Sequence, residues 1–406
     1  MPDFIMNVGL EVPLLLILLA ILGLRSKVTP RASVLVNAAP DKVFEVIDLY
    51  DGKVNTWTRT TVTSDLIDSA RQIFRMSYIT SLSNGLQQKS RADFRIHERR
   101  APNYLELRRE GLEGKSHKNE LLKIIYQVDA LPQGARLSLA YHWGSRPLMA
   151  QLLARTDLWG GIYRLKGLAE TGKPDERTHL LITIAVAVIT GALSLLAFGL
   201  VLGWLVALAL VIALTIHEFG HLIAFRMIGQ PWGKLVFLPF LGALAVPRLA
   251  YQTQAQAVFS ALMGPGFSAL AAIAIAVPIS LGLPMPLWLI AFGIIVAALN
   301  LFNLLPVEPL DGGVALRSVL TKLMGGYARF GLMLIGALMI AGSFYFQQIL
   351  LLIFGGISVL ANIKPRIIDH GLKPLSALQV IFSATGFGAI ISSHVIVLKV
   401  LIGKLI

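Results

Sequence analysis

Long apolar runs fill the second half of the chain, whereas residues 25–177 are mostly polar and alternate between apolar and polar positions. About 20 consecutive apolar residues are long enough to cross the hydrocarbon core of a membrane as a helix. The pattern predicts about eight such segments. They are residues 5–24, 178–200, 203–228, 256–281, 287–305, 328–345, 347–363 and 376–397. We therefore expect a polytopic α-helical membrane protein that carries one polar domain.

The polar segment predicts an α+β domain. Alternation from Ala32 predicts a strand that leads through Ala39 and Pro40 into a helix, where Val43, Phe44 and Ile47 lie at helical spacing. Helical periodicity also predicts one long closing helix over residues 146–171. Between these two helices, alternation predicts a set of strands. They are expected around residues 70–81, 90–98, 103–110, 121–129 and 135–143.

The charge distribution bears on topology. The chain has 36 Lys and Arg against 23 Asp and Glu, but no motif interleaves aromatic and basic residues, so we expect no nucleic-acid partner. Arg25, Lys27 and Arg31 follow the first apolar segment in place of a cleavage site, which indicates an uncleaved anchor with a cytoplasmic C-terminal end. We expect a multi-pass protein of the bacterial inner (plasma) membrane, in contact with membrane lipid and with a cytoplasmic polar domain.

A candidate metal site lies inside the apolar segment 203–228, in the run HEFGH. The chain has no cysteine, so a metal ion must be bound by His, Asp or Glu. His217 and His221 are four apart, which places both imidazoles on one helix face, with Glu218 beside them as a candidate base. This is the spacing of a zinc-metalloprotease helix. Ionisable residues inside a membrane are functional by default, so we expect a zinc site here.

A catalytic zinc site needs a third protein ligand from another segment. Asp311 follows the apolar segment 287–305 and precedes a Gly-Gly turn signal, which makes it the candidate. Glu308 is the local alternative, and we expect it to be a water-facing loop residue. Asn300 and Asn303 lie three apart on one face of the preceding helix, where they are candidates to hydrogen-bond a substrate backbone or an oxyanion. Helix packing is the alternative role for Asn300.

The runs HEFGH and NLLPVEPLDGG together resemble the site-2 protease (peptidase M50-like) family of intramembrane zinc metalloproteases, over roughly residues 178–363. The resemblance implies that His217, His221 and Asp311 bind Zn²⁺ and that Glu218 is catalytic. It also implies that Asn303 is the family's motif asparagine. The implied activity is hydrolysis of peptide bonds within or next to transmembrane helices of membrane protein substrates.

Two further runs resemble parts of that family. GPGFS resembles its Gly-Pro motif, although Ser268 stands where an asparagine is often found, and we expect Gly264 and Pro265 to shape a helix start. KLVFLPFLGALAVPRL resembles its re-entrant β-like loop, whose free edge pairs with an extended substrate strand. An ordinary interfacial hairpin is the alternative. His394 is expected to be interfacial or hydrogen-bonded, and not metal-bound.

The polar segment resembles the START-like (polyketide cyclase, SRPBCC) superfamily with its helix-grip fold, on the run VNAAPDKVFEVID and the long closing helix. The resemblance covers about 140 residues and implies a cavity between sheet and helix that takes a lipid or other apolar ligand. A filled core without a ligand is the alternative. The expected domains are a membrane anchor (1–27), the helix-grip domain (28–172), the metalloprotease core (173–370) and a C-terminal membrane segment (371–406).

The sequence therefore favours an intramembrane zinc metalloprotease of regulated intramembrane proteolysis. The alternative is a non-catalytic membrane protein with a lipid-binding START-like domain and a structural metal site. A metal transporter would require more intramembrane carboxylates than the four acidic residues of segment 178–406.

Overall fold

The computed structural model describes residues 24–57, 60–111, 120–363 and 372–405. The predicted apolar segment 5–24 lies outside them, apart from its last residue. The chain divides after Val186 into two compact units. The first unit contains the polar domain, and the second contains most of the apolar helices.

An antiparallel sheet of nine strands, counted over the described residues, forms the first unit. Strands β3 to β9 lie side by side in chain order, and β1 and β2 both pair with β9 at the far edge. The strands are β1 (Arg25–Val28), β2 (Arg31–Val36), β3 (Lys53–Trp57), β4 (Thr60–Asp68), β5 (Ile73–Ser81), β6 (Gln87–Arg100), β7 (Tyr104–Arg109), β8 (Leu121–Ala130) and β9 (Ala135–Pro147).

Two helices complete the polar domain of this unit. Helix α1 (Pro40–Ile47) begins with proline and buries Val43, Phe44 and Ile47, as the spacing predicts. Helix α2 (Leu148–Thr171) ends at Gly172, whose φ of 73° is a left-handed conformation that glycine adopts without strain. The buried residues of α2 recur every three or four positions and pack against the inward face of the sheet. They are Leu158, Ile162, Leu165 and Ala169. This is the expected helix-grip arrangement.

The sequence does not predict three of the strands, and all three have weak apolar periodicity. Strand β1 is four residues long with three polar side chains, and it overlaps the residues assigned to the anchor. Strand β3 also has little apolar content, and β4 is rich in threonine and serine. In each case pairing with a neighbouring strand supplies backbone hydrogen bonds that the side-chain pattern does not reveal.

Eight helices and one hairpin form the remainder of the described chain. The helices are α3 (Glu176–Leu202), α4 (Trp204–Met227), α5 (Gln254–Ser280), α6 (Leu287–Asn303), α7 (Asp311–Met324), α8 (Ala328–Phe346), α9 (Ile349–Ile363) and α10 (Ala377–Ile402). A short 3₁₀ turn joins α7 to α8. Strands β10 (Lys234–Leu238) and β11 (Gly242–Val246) pair antiparallel between α4 and α5.

The expected count of about eight spans is not supported. Within the described residues, five helical stretches are long and apolar enough to cross a membrane: α3, α4, α5, the continuous stretch Asp311–Phe346, and α10. Helices α6 and α9 have only 17 and 15 residues. At 1.5 Å per residue, α6 rises about 25 Å, which is less than the roughly 30 Å of a hydrocarbon core. The apolar run is longer than the helix because the chain turns directly after Asn303.

Small residues bring α4 and α5 into close contact. A Cβ built on Gly220 of α4 would lie 2.9 Å from the Cα of Gly264 on α5 and even closer to the carbonyl oxygen of Met263. Glycine at both positions permits this approach, as in other closely packed membrane helices. The backbone of α5 is thereby held against the face of α4 that carries the HEFGH run.

Candidate metal centre

The two histidines of HEFGH meet on one face of α4, inside the second unit. His217 and His221 are buried, and their Nε2 atoms lie 3.1 Å apart. Glu218 is buried next to them, and its carboxylate lies within 4.8 Å of the imidazole nitrogens. The four-residue spacing of the helix produces this grouping, as expected from the sequence.

Asp311 joins this pair from the first turn of α7. Its Oδ2 lies 3.1 Å from Nε2 of His217 and 3.4 Å from Nε2 of His221. The two glycines that follow Asp311, in the first turn of α7, make the approach possible. A Cβ on Gly312 would lie closer than 3.0 Å to backbone atoms of Leu304, and a Cβ on Gly313 closer than 3.0 Å to those of Val307. Only glycine lets the loop after α6 fold this tightly onto the start of α7.

The hydrogen bonds at Nδ1 of each ring determine whether the Nε2 atom carries a proton or a free lone pair. Nδ1 of His217 lies 2.7 Å from Oδ1 of Asn300, and Nδ1 of His221 lies 2.6 Å from the carbonyl oxygen of Ser260. Both partners are acceptors, because the Asn300 amide nitrogen donates to Val296, so each Nδ1 carries the proton. In a neutral ring each Nε2 then carries a lone pair, and the two Nε2 atoms face each other and Oδ2 of Asp311.

Two imidazole nitrogens and a carboxylate oxygen within 3.4 Å of one another form a donor set that suits a cation. Tetrahedral zinc with ligands at 2.0–2.1 Å has ligand atoms about 3.3–3.4 Å apart. The observed triangle of 3.1, 3.1 and 3.4 Å fits that requirement. The second hydrogen bond of each imidazole is also the support that metal-binding histidines use in proteins. The described residues thus suit Zn²⁺.

Gly264 lies against the open side of this triangle. A Cβ built there would be 3.0 Å from Nε2 of His217 and still closer to Nε2 of His221. The expectation that Gly264 and Pro265 shape a helix start is wrong, because both lie inside α5. The physical reason is that packing of α5 against its neighbouring helices stabilises the helix by more than the proline at position 265 destabilises it. Gly264 instead leaves room at the imidazole nitrogens.

Glu218 contacts the hairpin. Its Oε2 accepts a hydrogen bond of 2.5 Å from the backbone N–H of Ala245 in β11. The N–H of Phe237 in β10 donates to Thr190, so it points away from β11. Phe237 and Ala243 are therefore a non-hydrogen-bonded pair, and the backbone groups of Ala243 point toward the outer edge of β11. Ala245, two residues further along β11, has the same orientation. That edge therefore lies directly at the glutamate.

The remaining predicted residues have different positions. Asn300 is fully buried and both ends of its amide are hydrogen-bonded, so its expected contact with substrate is replaced by support of His217. Asn303 is half-buried at the end of α6. Glu308 pairs with Arg317 at 2.8 Å and lies outside the triangle. His394 is buried, and its Nε2–H donates to the Pro265 carbonyl at 3.1 Å, which agrees with a hydrogen-bonded histidine.

Comparison with known proteins adds to this geometry. No family model matches the chain. A protein of Synechocystis sp. (strain ATCC 27184 / PCC 6803 / Kazusa), provisionally assigned as a zinc metalloprotease, is 34% identical over 128 residues. The resemblance to zinc metalloproteases is confirmed. The match covers 31% of this chain and 34% of the relative, so the chain spans about a third of that protein's length.

Two solved structures are each similar to part of the chain. The site-2 protease from Methanocaldococcus jannaschii is similar over 47% of this chain and 87% of its own, with 18% identity and a TM-score of 0.30. The AHSA1-like protein from Aeromonas hydrophila is similar over 35% of this chain and 91% of its own, with 12% identity and a TM-score of 0.27.

Proposed function

We propose that this protein is a zinc metalloendopeptidase that cleaves peptide bonds within or next to transmembrane helices of membrane protein substrates. One observation carries the proposal: two imidazole lone pairs and a carboxylate oxygen converge beside the buried Glu218. His217 lies ten residues before the end of α4. This corresponds to roughly 15 Å along the helix, about half the thickness of a hydrocarbon core. The chemistry would thus take place inside the membrane.

In this proposal His217, His221 and Asp311 hold the zinc ion. A zinc ion bound there would supply Lewis-acid chemistry, acidifying the attacking water and polarising the scissile carbonyl. Glu218 accepts the proton of that water and later donates it to the leaving amine. Oε2 of Glu218 is already hydrogen-bonded to Ala245, while Oε1 has no partner among the described residues. We assign the proton transfer to Oε1.

The hairpin supplies a means to hold the substrate. A peptide bond within a transmembrane helix is hydrogen-bonded and shielded, so the helix must open before hydrolysis. An opened segment that adds as a strand to the outer edge of β11 regains hydrogen bonds at Ala243 and Ala245. The position of Glu218 at that edge supports delivery of the scissile bond to the base. Regulated proteolysis in a bacterial inner membrane, with the helix-grip domain in the cytoplasm, remains part of this proposal.

Cleavage by the purified full chain tests the proposal. The protein in nanodiscs is incubated with a library of single-span membrane peptides, and products and bound zinc are both measured by mass spectrometry. We expect Glu218→Gln to keep zinc and to lose at least about a hundredfold in cleavage rate, because it removes the base. Asp311→Asn should lose zinc. The matched control Glu308→Gln, which changes a carboxylate outside the triangle, should keep both properties.

Two results would contradict the proposal in different ways. Cleavage by Glu218→Gln at the wild-type rate would remove this residue as the base. Bound zinc without cleavage of any peptide by the wild-type protein would instead favour the alternative, a structural metal site in a non-catalytic protein.

A further inference from the structure

The helix-grip domain contains a cavity of about 440 Å³ between its sheet and α2. This volume falls within the range of about 300–1,000 Å³ that is usual for small-molecule sites. Apolar side chains line most of it. They include Ile47, Met76, Phe94, Ile124 and Leu165. The core between sheet and helix is therefore not completely filled, and an apolar chain of a ligand has a surface to contact.

Lys53 and Arg109 are the two cationic side chains of the cavity lining, and Arg109 is the one without a hydrogen-bonded partner among the described residues. Along β7, Leu105, Leu107 and Arg109 occupy alternate positions on the inward face, and the guanidinium of Arg109 lies 5.3 Å from the ring centroid of Phe94. No carboxylate of the described residues lies within 4 Å of Arg109. The pattern differs on the outward face, where each of three neighbouring arginines has an acidic partner. The pairs are Arg75–Asp93, Arg95–Glu110 and Arg108–Glu106.

Three tyrosine hydroxyls also line the cavity, from strands β5, β8 and β9. The hydroxyls of Tyr126 and Tyr141 have no hydrogen-bond partner among the described residues, and Tyr78 contacts only the sulfur of Met76 at 3.8 Å. Burial raises the pKa of Tyr78 to about 12, although the charge of Arg109 opposes that rise. Burial also raises the pKa of Tyr126 and Tyr141, so all three remain neutral donors.

Two other charged groups of the lining are already engaged. The Lys53 ammonium donates to three backbone carbonyls, those of Glu45, Val46 and Asp48. The carboxylate of Asp48 is paired with Arg99.

Donors of the lining without a hydrogen-bond partner among the described residues thus include the Arg109 guanidinium, the hydroxyls of Tyr126 and Tyr141 and Nε1 of Trp143. The lining also contains one exposed carboxylate, that of Glu120. A half-buried cation with surrounding donors suits an anion with several acceptor oxygens.

We infer that this cavity binds a single-chain anionic amphiphile, with its acid group at Arg109 and the tyrosine hydroxyls and its chain along the apolar lining. This assignment replaces the apolar ligand expected from the resemblance with a charged one. The volume favours one chain, because it lies in the lower part of the usual range for ligand sites. The inference is independent of peptidase activity.

Photo-crosslinking of the full-length protein in phosphatidylcholine nanodiscs tests this inference. The probe is a long-chain fatty acid with a diazirine on its chain, and labelled peptides of β5, β8 and β9 are quantified by mass spectrometry. We expect Arg109→Gln to weaken labelling about tenfold or more, the loss expected for a charge-assisted hydrogen bond. Arg109→Lys should retain part of it. The matched control Arg136→Gln, an exposed position on β9, should leave labelling unchanged.

Two more probes identify the head group. The corresponding alcohol should label the wild-type protein as weakly as the acid labels Arg109→Gln. An alkyl phosphate of the same chain length distinguishes a phosphate head from a carboxylate, and stronger labelling by either one supports the inference.

Equal labelling by the alcohol and the acid would overturn the anionic assignment, as would equal labelling of Arg109→Gln and wild type. Absence of label from the cavity strands would overturn the site. Circular dichroism reports whether Arg109→Gln is folded. If it is not, the double variant Tyr126→Phe and Tyr141→Phe takes its place, and unchanged labelling of that variant would refute the inference.

Discussion

Gly264→Ala offers a sharp test of the metal centre, because it adds one methyl group beside the two imidazoles. The new Cβ would lie 3.0 Å from Nε2 of His217 and closer to Nε2 of His221, whereas ordinary contacts are 3.4–4 Å. His221 has to move by about 1 Å, and zinc ligands tolerate deviations of only about 0.2 Å. The ring does not move freely, because its Nδ1 is held by the Ser260 carbonyl at 2.6 Å. We expect zinc affinity to fall by at least about a hundredfold.

The assay is competition between the purified protein and a chromophoric zinc chelator, with helix content followed by circular dichroism. Gly266→Ala is the matched control, since it lies on the same helix and its Cβ would meet only Ile390, at 3.4 Å. That variant should bind zinc as the wild-type protein does. Wild-type zinc affinity in a folded Gly264→Ala variant would refute the assignment of zinc to the three-donor triangle.

Two further substitutions test the supporting interactions. Asn300→Ala removes the acceptor for Nδ1 of His217 and should lower zinc affinity about 10- to 100-fold in the same competition assay; an unchanged affinity would show that Asn300 does not orient the ring. In the helix-grip domain, burial alone would raise the pKa of Glu106, but hydrogen bonds from Arg108 and Tyr104 outweigh it and lower the pKa below 4.5. The ionised carboxylate therefore stabilises the fold above pH 4.5, and this contribution is lost as the pH falls through the lowered value. Urea unfolding between pH 6 and pH 3 should show a decline in stability that is smaller in Glu106→Gln, and identical declines would contradict the assignment.

Local spacing accounts for what the sequence predicts about the metal centre. His217 and His221 converge because a helix repeats every 3.6 residues, and no distant contact is needed for that conclusion. The approach of Asp311 is predicted from the same Gly-Gly pair, although the glycines lie in the first turn of α7 and allow close packing of the preceding loop in place of the predicted turn. The role of Asn300 is harder to predict from the sequence, because its side chain is oriented by a hydrogen bond to His217, 83 positions away.

Tertiary packing determines the features that the pattern alone did not predict. Gly264 is needed because α5 approaches the imidazoles closely, and a glycine beside a proline has the same local signature at a helix start. Strands β1, β3 and β4 depend on cross-strand pairing more than on alternation. Within the described residues fewer spans are found than predicted because some apolar runs contain a helix shorter than a membrane span, as at α6 and α9.

The hydrogen bond between Ala245 and Glu218 has a kinetic consequence for an enzyme of the proposed kind. A backbone amide has a single hydrogen to donate. A peptide that docks along β11 as an additional strand takes that hydrogen for its own carbonyl, and the carboxylate of Glu218 gives it up. Docking of the peptide therefore also releases Oε2 of Glu218 from its hydrogen bond. As a result, Glu218 reaches its full proton affinity only when a substrate is bound.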